Sequence, residues 1–140
     1  DKDIHFPVQS CGNCAIVQVR AVSEEQVRKV MQMGMQNPMA PRLTIVVDED
    51  VNIYDMGDVM FALSIRTKGK FGLDTLEGVP AMAEPLTTLV NSRTDVQPIP
   101  NNRWAVDATK PPLSDGKRRL ESVRLTPRGE SVAKLADFID

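Results

Sequence analysis

The stretch "LTIVV", residues 43–47, most limits what this chain can become. It is short, apolar or β-branched throughout, and has no polar alternate. A strand with one wet face alternates, so a run without alternation has to be covered on both faces, as in a parallel sheet between helices. The flanking sequence agrees. "CAIVQVRAV" (14–22) sets Val17, Val19 and Ala21 against Gln18 and Arg20 and reads as a half-buried strand. Ser23, with Gln26 three residues on, starts a helix as a capping box does. Val27, Val30, Met31 and Met35 then share one helical face, and Pro38 and Pro41 end it. A second helix is expected at about 56–66, with Met56, Val59, Met60 and Leu63 as its apolar positions. A helical crossover between strands implies a parallel pair. The expectation is an α/β fold with a small, mostly parallel sheet and flanking helices.

The remainder is less regular. Residues 1–14 read as an irregular lead-in, and "TKGKFG" (67–72) as a basic, Gly-rich loop. Residues 73–103 carry Pro80, Pro85, Pro98 and Pro100 and show no period, so the second half is expected to be irregular and Pro-rich. "WAVDA" (104–108) is a candidate third strand. Thr126 and Pro127 make a helix-start pair, and Val132, Leu135, Ala136 and Ile139 follow as a stripe, which predicts a C-terminal helix over 127–139. At 140 residues the chain suits a single domain. It opens on Asp1 rather than Met, as a fragment or a processed piece does.

Composition excludes several classes of partner. Net charge is −2 with both signs dispersed, so a basic nucleic-acid surface is not expected. Aromatics make up 4%, too few for a base-stacking platform. No apolar run approaches the roughly 20 residues of a membrane span, and no signal peptide is visible. A cytoplasmic protein is the default expectation.

The candidate chemistry lies after "LTIVV". Asp48, Glu49, Asp50, Asp55 and Asp58 crowd the end of the strand and the approach to the second helix. Asp48, Asp50 and Asn52 match the opening of a calcium loop, but Ile53 replaces its turn glycine and Val59 its bidentate glutamate. Asp55 suits the N-cap of the second helix and Asp58 its first turn. Asp48, Glu49 and Asp50 are left with two readings, a polar turn or a ligand edge at the carboxyl end of a parallel strand. "CGNC" (11–14) has the spacing of a redox pair or half a zinc site. It leads into a strand rather than opening a helix, and only His5 is left to complete a metal shell, so free thiols are expected. His5 itself has no evident partner. Met31, Met33, Met35 and Met39 suit core or contact packing.

"VVDEDVNIYDMGDVMFALSIR" (46–66) resembles a segment of the UbiD family of decarboxylases, with Asp48, Asp50, Val51, Asn52, Asp55, Asp58, Val59, Ala62 and Arg66 at matching spacing. "WAVDATKPP" (104–112) resembles a second segment of that family through Asp107, Ala108, Thr109 and Lys110. The turn, strand and helix of "CGNCAIVQVRAVSEEQVRKVM" (11–31) fit the same family in the same order.

The resemblance implies an enzyme that adds or removes CO2 on an aromatic or α,β-unsaturated acid. It implies prenylated FMN as cofactor, with a divalent metal and often a monovalent cation. The family's Glu-Arg-Glu proton network and its metal-holding Asn, His and Glu lie upstream of these segments, and no stretch of this chain matches them. The chain is therefore expected to be the C-terminal domain or small subunit of such an enzyme. It would complete the cofactor pocket and an oligomer interface beside a larger catalytic chain or N-terminal domains, and would be inactive alone. Lys110 matches a lysine that contacts the flavin in relatives; a solvated loop lysine is the alternative. Trp104 and Asp107 are expected to be structural. Two competing readings of the chain remain open: a non-catalytic assembly module that keeps the fold, and a CxxC redox or zinc protein.

Overall fold

The computed structural model describes residues 3–20, 23–67, 72–78, 89–98 and 102–111. The strands are β1 (Asp3–His5), β2 (Cys14–Val19), β3 (Leu43–Asp48), β4 (Leu73–Glu77) and β5 (Asn102–Ala108), and the helices are α1 (Glu24–Gln36) and α2 (Met56–Arg66). A single sheet runs in the order β1-β2-β3-β5-β4. The three central strands are parallel, with Ile16 opposite Ile45 and Ile45 opposite Val106. The edge strands β1 and β4 are antiparallel to their neighbours. The sheet is thus mixed, parallel at its centre only.

The unbroken apolar run of β3 is explained by the two helix layers. Val46 joins Val17, Val19 and Ala105 on one face, beneath Val27, Met31 and Met35 of α1. Ile45 and Val47 join Ile16 and Ala108 on the other face, beneath Val59 and Ala62 of α2 and Val51 and Ile53 of the intervening loop. Gly34 lets α1 lie close on the sheet, since a Cβ there would meet the Thr44 side chain at 3.2 Å. Ser23 caps α1 by accepting from the Gln26 amide. At the other end Arg103, 4% exposed, donates to the carbonyls of Met35 (2.8 Å) and Asn37 (2.6 Å). A buried cation there satisfies carbonyls that the helix itself leaves open and complements its dipole.

Several expectations need correction. The lead-in is not wholly irregular, because Asp3–His5 forms an edge strand and Val8–Ser10 a short 3-10 turn. The Pro-rich second half contains β4, a five-residue strand whose side chains are nowhere fully buried, so no apolar period marks it. β2 is covered on both faces over Ala15–Val17 rather than half-buried, because the second helix layer reaches Ile16. Met31 and Met35 are core, but Met33 and Met39 are 63% and 66% exposed. His5 has a partner, the Tyr54 ring, at a centroid distance of 4.8 Å. The 127–139 helix and most of the basic loop after Thr67 lie outside the described residues. Among the described residues no helix is long and apolar enough to cross a membrane.

Candidate functional site

Strand register brings the acids and Lys110 together. Val47 of β3 lies opposite Ala108 of the parallel β5, so the chain leaves both strands at the same edge. One residue further on β3 is Asp48, and two residues further on β5 is Lys110. The buried Asp48 carboxylate accepts the Lys110 amide at 2.6 Å. The chain then turns at once, with the Val51 amide bonded to the Asp48 carbonyl at 3.2 Å. Gln18 of β2 holds the turn by donating to the Val51 carbonyl at 2.8 Å.

The centre of the cluster is Arg66, in the last turn of α2 and 8% exposed. Its guanidinium fork takes both oxygens of Asp50, at 2.9 and 2.8 Å, and reaches Asp48 Oδ2 at 3.3 Å. The Lys110 ammonium lies 3.8 Å from Asp50 Oδ2. Among the described residues two carboxylates therefore face two cations, which is how charge is tolerated at a buried edge. The hydrogen bonds it donates to Asp50 hold the Arg66 guanidinium above its ordinary range, against the opposing pull of burial. The helix C-terminus also favours a cation at this position.

The remaining acids have separate tasks. Asp55 caps α2, its Oδ1 accepting from the Gly57 amide at 3.0 Å and the Asp58 amide at 3.4 Å. Asp58 is buried and accepts the Asn52 amide at 2.7 Å, tying the loop to the helix. Glu49 points outward and makes a loose pair with Arg20 at 3.7 Å. Asp107 Oδ1 takes the Thr109 amide at 2.9 Å and the Thr109 hydroxyl, which fixes the turn that presents Lys110. Trp104 sits mid-strand opposite Leu43 and is 38% exposed, away from the cluster.

The buried face of α2 differs from the apolar stripe read from sequence. It consists of Asp58, Val59, Ala62 and Arg66, while Met56 and Met60 are 38% and 56% exposed. Asp58, Ala62 and Arg66 recur at helical spacing, so two charged residues occupy the inner face. Each is admitted there because a specific partner meets it. Arg66 is the site residue that residue-by-residue reading passed over, although its place two helical turns after Asp58 was a usable signal.

Cys11 and Cys14 are free thiols. Cys11 is exposed with a left-handed backbone (φ 50°), and burial pushes the Cys14 thiol up. Among the described residues no three His, Cys, Asp or Glu side chains are grouped to hold a metal ion.

Residues 1–108 match the family described as the 3-octaprenyl-4-hydroxybenzoate carboxy-lyase C-terminal domain, UbiD_C. The chain belongs to this family. Among curated relatives, anhydromevalonate phosphate decarboxylase of Methanocaldococcus jannaschii is 26% identical over 116 residues, 82% of this chain and 26% of the relative. The enzyme of the same description from Methanosarcina mazei is 32% identical over 72 residues, 49% of this chain and 17% of the relative. Among solved structures, the UbiD-class enzyme HmfF from Pelotomaculum thermopropionicum, in complex with FMN, superposes with a TM-score of 0.63 at 22% identity. That match covers 98% of this chain and 28% of HmfF, and it speaks for the fold. The UbiD_C chain thus spans about a quarter of the length of the Methanocaldococcus jannaschii decarboxylase and of HmfF.

Proposed function

We propose that this chain is the C-terminal domain or small subunit of a UbiD-like decarboxylase or carboxylase that works in the cytoplasm on an aromatic or α,β-unsaturated acid. The single observation that carries the reading is the family match over residues 1–108. The cluster at the ends of β3 and β5 supports it, since open α/β sheets bind ligands beyond the carboxyl ends of their strands.

Prenylated FMN would supply the covalent chemistry of CO2 addition or removal. The chain's own contribution would be Lys110. Its side chain is 19% exposed, held by a carboxylate on one side, and able to offer a point charge to a phosphate or flavin oxygen. The donor set does not suit the divalent metal, because Asp48 and Asp50 are committed to Arg66 and to Lys110. The metal and the proton-handling glutamates would belong to a larger partner chain or to N-terminal domains, and this chain alone would be inactive.

Native mass spectrometry of the protein from its own cells tests the reading. The expected result is this chain, covalently or not, within a larger assembly that carries a flavin-sized mass. In that assembly Lys110→Ala should lower flavin occupancy with little effect on folding; equal occupancy would remove Lys110 from the site.

One observation favours a second reading, an assembly module without chemistry. Ile4, Val17, Val30 and Met33 line an apolar cleft of about 440 Å³. A complex that retains this chain but never flavin would support that alternative.

A further inference from the structure

Among the described residues Lys110 is held at two points, by Asp48 and by Asp50, and Arg66 bonds both of these carboxylates. Its amide donates to Asp48 at 2.6 Å, and its ammonium lies 3.8 Å from Asp50. Two carboxylates so near each other, one of them buried, disfavour each other's ionised form. Arg66 supplies the counter-charge to both, gripping Asp50 with two hydrogen bonds and Asp48 with a third. A planar fork can do this where an ammonium, a point charge, cannot. Without it, Asp50, whose side chain is 24% exposed, would lose two hydrogen bonds that orient it, and Asp48 would carry a buried charge with less compensation.

We infer that Arg66 is a positioning residue for Lys110, acting through Asp48 and Asp50 so that the lysine ammonium is presented to an anionic group of the flavin cofactor. The inference rests on the reading of Lys110 as a cofactor contact. Arg66 is nearly buried and its fork is turned onto the two acids, so its influence on a ligand passes through Lys110.

The test uses the assembled protein, in which this chain is a domain or a subunit, with FMN as the probe and flavin fluorescence as one readout. Arg66→Met, Lys110→Met and the double variant are compared with wild type. Each single change should weaken FMN binding about tenfold, the size of one charge-assisted contact. The double variant should bind no more weakly than Lys110→Met alone. Independent, additive losses in the double variant overturn the inference.

Hydrogen exchange at the Lys110 amide is the second readout, one that does not depend on the cofactor. Arg66→Met should speed it while the amides of α1 stay protected; unchanged exchange overturns the inference. Faster exchange with unchanged FMN binding in both single variants overturns the cofactor role of Lys110 and leaves Arg66 a local anchor only. Should Arg66→Met fail to fold, Arg66→Lys carries the same test. Faster Lys110 exchange in a folded protein supports positioning, and wild-type exchange overturns it.

Discussion

Two arginines of this chain grip a neighbouring aspartate with two nitrogens each. Arg66 holds Asp50 at 2.9 and 2.8 Å, and Arg93 holds Asp95 through Nε at 2.8 Å and through a second nitrogen. The geometry is alike and the setting is not. Arg66 and Asp50 are 7% and 24% exposed, whereas Arg93 and Asp95 are 57% and 63% exposed. Water screens the second pair and replaces it readily when it breaks. At the first pair water has little access, and a second carboxylate, Asp48, shares the same cation. What an ion pair is worth is therefore set by what surrounds it, not by its bond lengths.

The strongest way to break this comparison is Arg66→Met. It should cost about 3 kcal/mol, at the low end for breaking a buried pair because Asp50 keeps some solvent contact. Denaturant unfolding measures it, and a loss equal to that at Arg93 would erase the distinction. Arg103 sharpens the comparison, being buried and donating to the neutral carbonyls of Met35 and Asn37. Arg103→Met should cost about 2 kcal/mol, from the loss of charged-donor hydrogen bonds at the end of α1. A change at the surface with no cation involved comes next. Asp55→Ala should cost about 1 kcal/mol as a lost N-cap, and an unshifted melting curve would contradict the capping role.

A smaller effect concerns the β1 edge, where the Tyr54 hydroxyl donates to Asp3 at 2.6 Å. That bond holds the Asp3 carboxyl below its usual range and pushes the Tyr54 phenol above its own. The Asp3 contribution is present above the unfolded carboxyl pKa and lost as pH falls through the lowered one. The Tyr54 contribution is present below the unfolded phenol pKa and lost as pH rises through the raised one. In an ultraviolet titration, Asp3→Asn should bring the Tyr54 phenol back down; an unmoved titration would show that the bond is absent in solution. The smallest effect is expected at the exposed pair, where Asp95→Asn should leave the melting temperature unchanged.

Much of the fold was legible because it is local. β-branched residues without alternation at 43–47 demanded two covered faces, and both helix starts were written as caps at Ser23 and Asp55. α2 was expected at about 56–66, and Met56–Arg66 is what forms. The mixed character of the sheet was not legible. β1 and β4 are short edge strands with little burial, so their pairing is decided by neighbours rather than by their own pattern. The inner face of α2 was misread for a related reason. Asp58 and Arg66 look like surface residues until the Asn52 amide, Asp48 and Asp50 are seen to meet them.

By itself, then, the sequence determined the α/β class, the central parallel strands, the two helices and, through its spaced motifs, a resemblance to the family. Each of these is carried by residues close together in the chain, where hydrophobic period and capping act directly. Only the tertiary structure decided that Asp48, Asp50, Arg66 and Lys110 form one cluster. Sixty-two residues separate Asp48 from Lys110, and only the parallel register of β3 with β5 brings that carboxylate to that amide.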